Sequence, residues 1–193
     1  VILLALVLAV SAAEPSPGLV DLAEVLPRAV LDLRYATPHN FLKEAVYAHP
    51  RCLLRAEVAH ALATAELQLE AKGYRLLLWD CYRPLSVQRA MWKRVPVKGL
   101  VADPEHGGSH HNRGTAVDAA LADLEGKPVA MCTDHDDFSR AGRRDAPCAP
   151  EPAARRAALR QALEAAGFTT IRTEWWHFDA PNAGAAPLLD QPL

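Results

Sequence analysis

Residues 115–121 read TAVDAAL, a mostly apolar run with one carboxylate, Asp118, at its centre. Such a run predicts a buried strand. A carboxylate inside it must be paired or metal-bound, because burying a lone charge is costly. Working outward, YRLLLW at 74–79 is a second buried strand, and VLDLRY at 30–35 alternates like a short one. EGK at 125–127 suits a hairpin turn into 129–131. The last strand segments are 168–172 and 175–178. Helices fall between these runs. Over 56–72, Val58, Leu62, Ala65 and Leu69 recur at helical spacing and Gly73 supplies the stop. A second helix runs from Pro84 to about Arg94, closed by Pro96. A third opens at Pro152, carries Ala158, Leu159, Ala162 and Leu163 on one stripe, and ends at Gly167. Helices mixed with mostly antiparallel strands predict an α+β fold: one domain over 30–193, its central sheet packed by helices, its chemistry at the sheet.

Composition narrows the function. The chain has 193 residues, 50% of them hydrophobic and 23% charged, which is a globular balance. A net charge of −2 gives no field for nucleic-acid phosphates, so no nucleic-acid partner is expected. Only the N-terminal run VILLALVLAV approaches membrane length, which excludes a multi-pass membrane protein. That run, followed by the small residues Ser11 and Ala13, reads as a partial signal peptide over 1–13. Residues 14–29 read as a linker and lead-in. The expected location is therefore exported, periplasmic or extracellular, with no stable membrane anchor after cleavage. Export makes two disulfides possible for the four cysteines. Cys52 with Cys81 and Cys132 with Cys148 is the preferred pairing, although spacing leaves three connectivities, and four free thiols, open.

Eight histidines compete for roles. His39, His49, His60 and His106 stand alone and read as ordinary surface or core residues. Two clusters differ: SHHNRGTAVD at 109–118 and EWWH at 174–177. Catalytic zinc takes three protein ligands and keeps one position open. His111 precedes Asp118 by seven residues, and Gly114 can turn the loop back toward the strand. His177, in the apolar WWHF, can face Asp118 from a neighbouring strand. The alternative is a buried Asp–His pair without metal. Glu174, three residues before His177, lies on the opposite face of a regular strand. It becomes a candidate general base only if the chain bends there; otherwise it is a surface carboxylate. Arg83, after the strand in WDCYRP, can stabilise an oxyanion or serve as a structural ion pair.

The motifs S-x-H-x-x-G-x-A-x-D and E-W-W-H, preceded by a strand ending in Y-R-P, resemble the zinc D-alanyl-D-alanine dipeptidases of the vancomycin-resistance type. The likeness runs from about Leu31 to Phe178 and includes LDLRYAT and DHDDF. It implies a metallopeptidase holding one Zn2+ at His111, Asp118 and His177. By the same resemblance Glu174 is the catalytic acid/base and Arg83 the transition-state stabiliser. Asp136 then holds the amino group of a small D,D-dipeptide substrate, with Ser109 beside it, while His110 is a non-ligand position. Two departures stand out. His135 replaces the usual aromatic residue, and Cys132 and Cys148 are additions; both bear on the amine pocket. The rival readings are a D,D-carboxypeptidase acting on peptidoglycan stem peptides and a non-catalytic zinc or cell-wall binding module.

Overall fold

A computed structural model describes residues 18–193, so the signal expected over 1–13 lies outside the described residues. In chain order the elements are β1 (Leu19–Asp21), α1 (Leu22–Val25), β2 (Val30–Leu31), β3 (Leu53–Arg55), α2 (Ala56–Glu70) and β4 (Tyr74–Asp80). Next come α3 (Leu85–Arg94), β5 (Ala116–Asp123), α4 (Pro150–Ala165), β6 (Thr169–Thr170) and β7 (His177–Asp179). Five strands form one sheet in the order β2-β4-β5-β7-β6, and β1 pairs with β3 in a separate two-stranded sheet. Within the larger sheet β2–β4 is parallel and the other pairings are antiparallel. The fold is α+β with a mixed sheet.

The two central strands are the apolar runs of the sequence. Leu76, Leu77 and Leu78 of β4 and residues 117 and 119–122 of β5 join the main core with Leu62, Ala65 and Leu69 of α2 and Leu159, Ala162 and Leu163 of α4. Each fully buried leucine contributes about 1.5–3 kcal/mol relative to an exposed one. A smaller cluster of Tyr35, Tyr47, Met91 and Val101 lies beside it. Both disulfides of the preferred pairing are formed, Cys52–Cys81 and Cys132–Cys148.

Several expected elements differ. The strand at 30–35 stops at Leu31, and residues Arg34–Ala36 turn into a 3-10 helix. That turn takes Tyr35 off the sheet and into the smaller core cluster. No strand forms at 129–131: the turn closes through Gly126 N–H to the Asp123 carbonyl, but Pro128 makes only an isolated bridge to Ala122. Proline has no N–H to extend the ladder. Part of the stretch read as a linker is structured. Leu19 and Leu22 are buried, and Asp21 caps α1 by accepting from the Ala23 N–H. The strand expected at 168–172 is only Thr169–Thr170, and the one at 175–178 begins at His177.

Candidate active site

The site grows out of one row across three strands. The register pairs Asp118 of β5 with His177 of β7 on one side and with Asp80 of β4 on the other. Asp80 reaches that position because the register shifts between Leu78 and Asp80, making Trp79 an extra residue in β4. His111 comes from the 3-10 turn His110–Arg113. Ser109 Oγ accepts from the His111 N–H, and Asn112 Oδ1 accepts from the Ser109 N–H. Gly114 then bends the chain into β5 at φ 67°. A Cβ there would lie 2.6 Å from the Leu19 side chain, so the turn needs glycine for both conformation and space.

Three donor atoms converge. His111 Nε2 is 3.2 Å from His177 Nδ1 and 3.4 Å from Asp118 Oδ1, and the latter two are 3.1 Å apart. An ideal tetrahedral zinc with bonds of about 2.0–2.1 Å has donors about 3.3 Å apart, so this triangle fits one face of such a site. The remaining imidazole nitrogens are held from outside. His111 Nδ1 donates to the Cys81 carbonyl at 2.8 Å, and His177 Nε2 pairs with Asp179 Oδ1 at 3.0 Å. These bonds fix each ring with its other nitrogen toward the cluster, the arrangement typical of metal-bound histidines. Burial opposes ionisation of Asp118. Its neighbours His111, His135 and His177 nevertheless hold its carboxyl well below the usual carboxylate range.

Around this triangle lies a cavity of ≈350 Å³. All seven residues singled out in the sequence line it: Arg83, Ser109, His111, Asp118, Asp136, Glu174 and His177. His39, His49, His60 and His106 do not. Glu174 reaches the cavity because the chain bends at residues 172–173 and 175–176, so that β7 begins only at His177. The regular-strand argument that put Glu174 and His177 on opposite faces therefore does not apply. Burial pushes the Glu174 carboxyl up to about 7.

Arg83 is both ion-paired and available. Its Nη2 and Nε donate to Asp80 Oδ2 at 2.6 and 3.2 Å, and its Nη1 donates to Gln88 at 2.8 Å. A guanidinium has five N–H donors, so two are left for a ligand. The cation lies 4.9 Å from the centre of the Tyr35 ring. Tyr47 donates to the other Asp80 oxygen at 2.5 Å. Asp136 lies across the cavity in a left-handed conformation, φ 58°, and accepts from the Tyr35 hydroxyl at 3.1 Å. Burial pushes its carboxyl upward. His110 is not part of the triangle; it bonds Asp179, the carboxylate that holds His177.

Comparison with known proteins bears on this arrangement. A family model described as D-Ala-D-Ala dipeptidase matches residues 15–193. The chain belongs to the D-Ala-D-Ala dipeptidase family. D-alanyl-D-alanine dipeptidases of Escherichia coli and Enterococcus faecalis are 36% and 32% identical to it. The first alignment covers 89% of each chain, the second 91% of this chain and 93% of the relative. One from Streptomyces coelicolor is 33% identical over 76% of this chain and 83% of the relative. As a member of the D-Ala-D-Ala dipeptidase family the chain is a metallopeptidase, and the His111–Asp118–His177 triangle is its candidate metal centre.

Sequence reasoning missed the supporting shell. Asp80, Asp179, Tyr35, Tyr47 and Gln88 went unremarked. Asp80 carried a usable signal, since it ends YRLLLWD and is a buried carboxylate by the same logic as Asp118.

Proposed function

We propose that this metallopeptidase hydrolyses the free dipeptide D-Ala-D-Ala to two D-Ala, with one Zn2+ held by His111, Asp118 and His177. The observation that carries the reading is one small cavity lined by the donor triangle, Glu174, Arg83 and Asp136. Its ≈350 Å³ is near the lower end of ligand pockets, about 300–1,000 Å³, and suits a dipeptide better than a stem peptide. Zinc, when bound, supplies Lewis acidity toward a carbonyl and lowers the pKa of water toward about 7.

The chain's own residues do the rest. Asp136 takes the substrate ammonium by charge, and Tyr35 keeps that carboxylate aimed. Ser109 uses its oxygen to cap the His111 turn, which leaves its hydroxyl proton for a ligand carboxylate or carbonyl. Glu174 accepts a proton from the attacking water and returns it to the leaving nitrogen as the C–N bond breaks. A carboxyl poised near neutrality can do both. The two free donors of Arg83 meet the oxyanion that develops at the carbonyl. Asp80 and Gln88 hold the guanidinium in place beforehand, so little reorganisation accompanies the reaction.

Export belongs to the same proposal. The apolar run at 1–10 and the two disulfides support an oxidising location and a role in wall-peptide turnover. The deciding assay offers the purified protein free D-Ala-D-Ala and, separately, a pentapeptide ending in D-Ala-D-Ala. Turnover confined to the dipeptide is expected; turnover of the pentapeptide alone overturns the reading in favour of a carboxypeptidase.

A further inference from the structure

The two carboxylate oxygens of Asp118 have different surroundings. Oδ1 belongs to the donor triangle. Oδ2 is 3.0 Å from His135 Nε2, and since an ionised carboxylate only accepts, the imidazole donates. The β5 register fixes where the Asp118 Cβ stands, but rotation of a carboxylate about its last bond is soft and roughly two-fold. A hydrogen bond to one oxygen removes that freedom. His111 has such an outer partner in the Cys81 carbonyl, and His177 has one in Asp179. His135 completes the set for Asp118.

We propose that His135 is a positioning residue for the metal: its Nε2–H holds Asp118 as a one-oxygen ligand aimed at His111 and His177. This rests on the metal assignment made above and goes beyond it, because neither ligand motif, S-x-H-x-x-G-x-A-x-D or E-W-W-H, supplies this bond. The ring is fixed for the task. It is buried, and ring-centre distances of 5.3, 5.6 and 5.8 Å separate it from Trp79, Tyr35 and Trp176. A phenyl ring at 135 would fill the same aromatic box with no donor. His135 Nδ1 also lies 3.4 Å from Asp136 Oδ2, so one imidazole stands between the metal carboxylate and the carboxylate proposed to take the substrate amine.

The test is zinc affinity, read by competition with a chromophoric chelator and independent of turnover. The parent, His135→Phe, His135→Gln and His111→Ala are titrated side by side, each checked for folding by its thermal melt. His135→Phe keeps the aromatic box and is expected to bind zinc about 10–100-fold more weakly, the usual cost of an outer-shell partner. His135→Gln places an amide N–H near the Nε2 position and is expected to recover most of that loss. Parent-like affinity in His135→Phe overturns the proposal, and so does equal weakening in both variants, which would assign the ring to packing alone. Stoichiometric zinc on the parent, absent from His111→Ala, separates failure of this proposal from failure of the metal assignment; a parent that binds no zinc defeats both.

Discussion

The two walls of the cavity are built by different means. The metal wall is written in sheet register: Asp80, Asp118 and His177 occupy one row across β4, β5 and β7, and His111 is tied to that row through the Cys81 carbonyl. The amine wall, so called for the role proposed for Asp136, is mostly irregular chain. Asp136 sits on a stretch with no strand and one short 3-10 turn, Arg140–Gly142, closed by the Cys132–Cys148 disulfide. It is anchored where the Gly142 carbonyl accepts from the Trp175 N–H and where Gly142 packs directly on Asp137. Backbone ladders place the first wall redundantly; a few separate ties place the second. Damage to the metal wall should therefore abolish function, whereas damage to the amine wall anywhere but at His135, which reaches across to Asp118, should weaken substrate binding and leave the metal in place.

The largest expected effect tests the metal wall. His111→Ala should lose zinc and activity together, and chelation should lower the melting temperature of the parent but not of this variant. Elemental analysis with paired melts checks both; full zinc in the variant would erase the contrast between the walls. Next, Glu174→Ala should retain zinc and lose about 10²–10⁴-fold in kcat, the usual worth of general acid–base assistance. A kcat within about threefold of the parent, far short of that loss, returns Glu174 to a bystander. On the amine wall, Asp136→Asn removes a charged hydrogen bond worth about 1.5–3 kcal/mol. That converts to about 10–100-fold in KM for the free dipeptide, with unchanged zinc content. A large loss of zinc instead would join the two walls into one unit. Smallest in its effect on catalysis is the paired Cys132→Ser, Cys148→Ser variant. Opening a loop with a sequence separation of 16 should cost about 3 kcal/mol of stability. KM should rise a few-fold while zinc affinity stays put, as denaturant titration and steady-state kinetics on one sample would show.

The same division explains what could be read from the sequence. The metal wall was legible because a strand announces itself by composition, and a carboxylate inside TAVDAAL cannot be idle. Val58, Leu62, Ala65 and Leu69 spelled out α2 because they all face the core. What failed was short or paired at a distance. β1 and β3 have three residues each, too few for a period to show, and only their mutual pairing makes them strands. The bend before His177 could be stated as a requirement but not read, because WWHF is equally good strand material. His135 stood out as a departure from the family pattern, yet its task stayed hidden. Its partner Asp118 is 17 residues away, and sequence says nothing about which way a side chain turns.

The extra residue in β4 carries a lesson about insertions and deletions. Leu78 stands opposite Ala119, so in a regular strand Trp79 would stand opposite Asp118, and the extra residue is what delivers Asp80 there instead. Arg83 and Tyr47, both bonded to Asp80, owe the place of their common anchor to that shift. A strand keeps its faces by counting in twos, so gaining or losing one residue in the regular stretches of β4 or β5 exchanges the buried sides. The turn at 124–128 lies at the far end of β5 from Asp118, where a change of length leaves this count intact. Viable length variation in descendants of this gene should therefore gather at that turn and avoid the strands, even where substitutions in the strands are common.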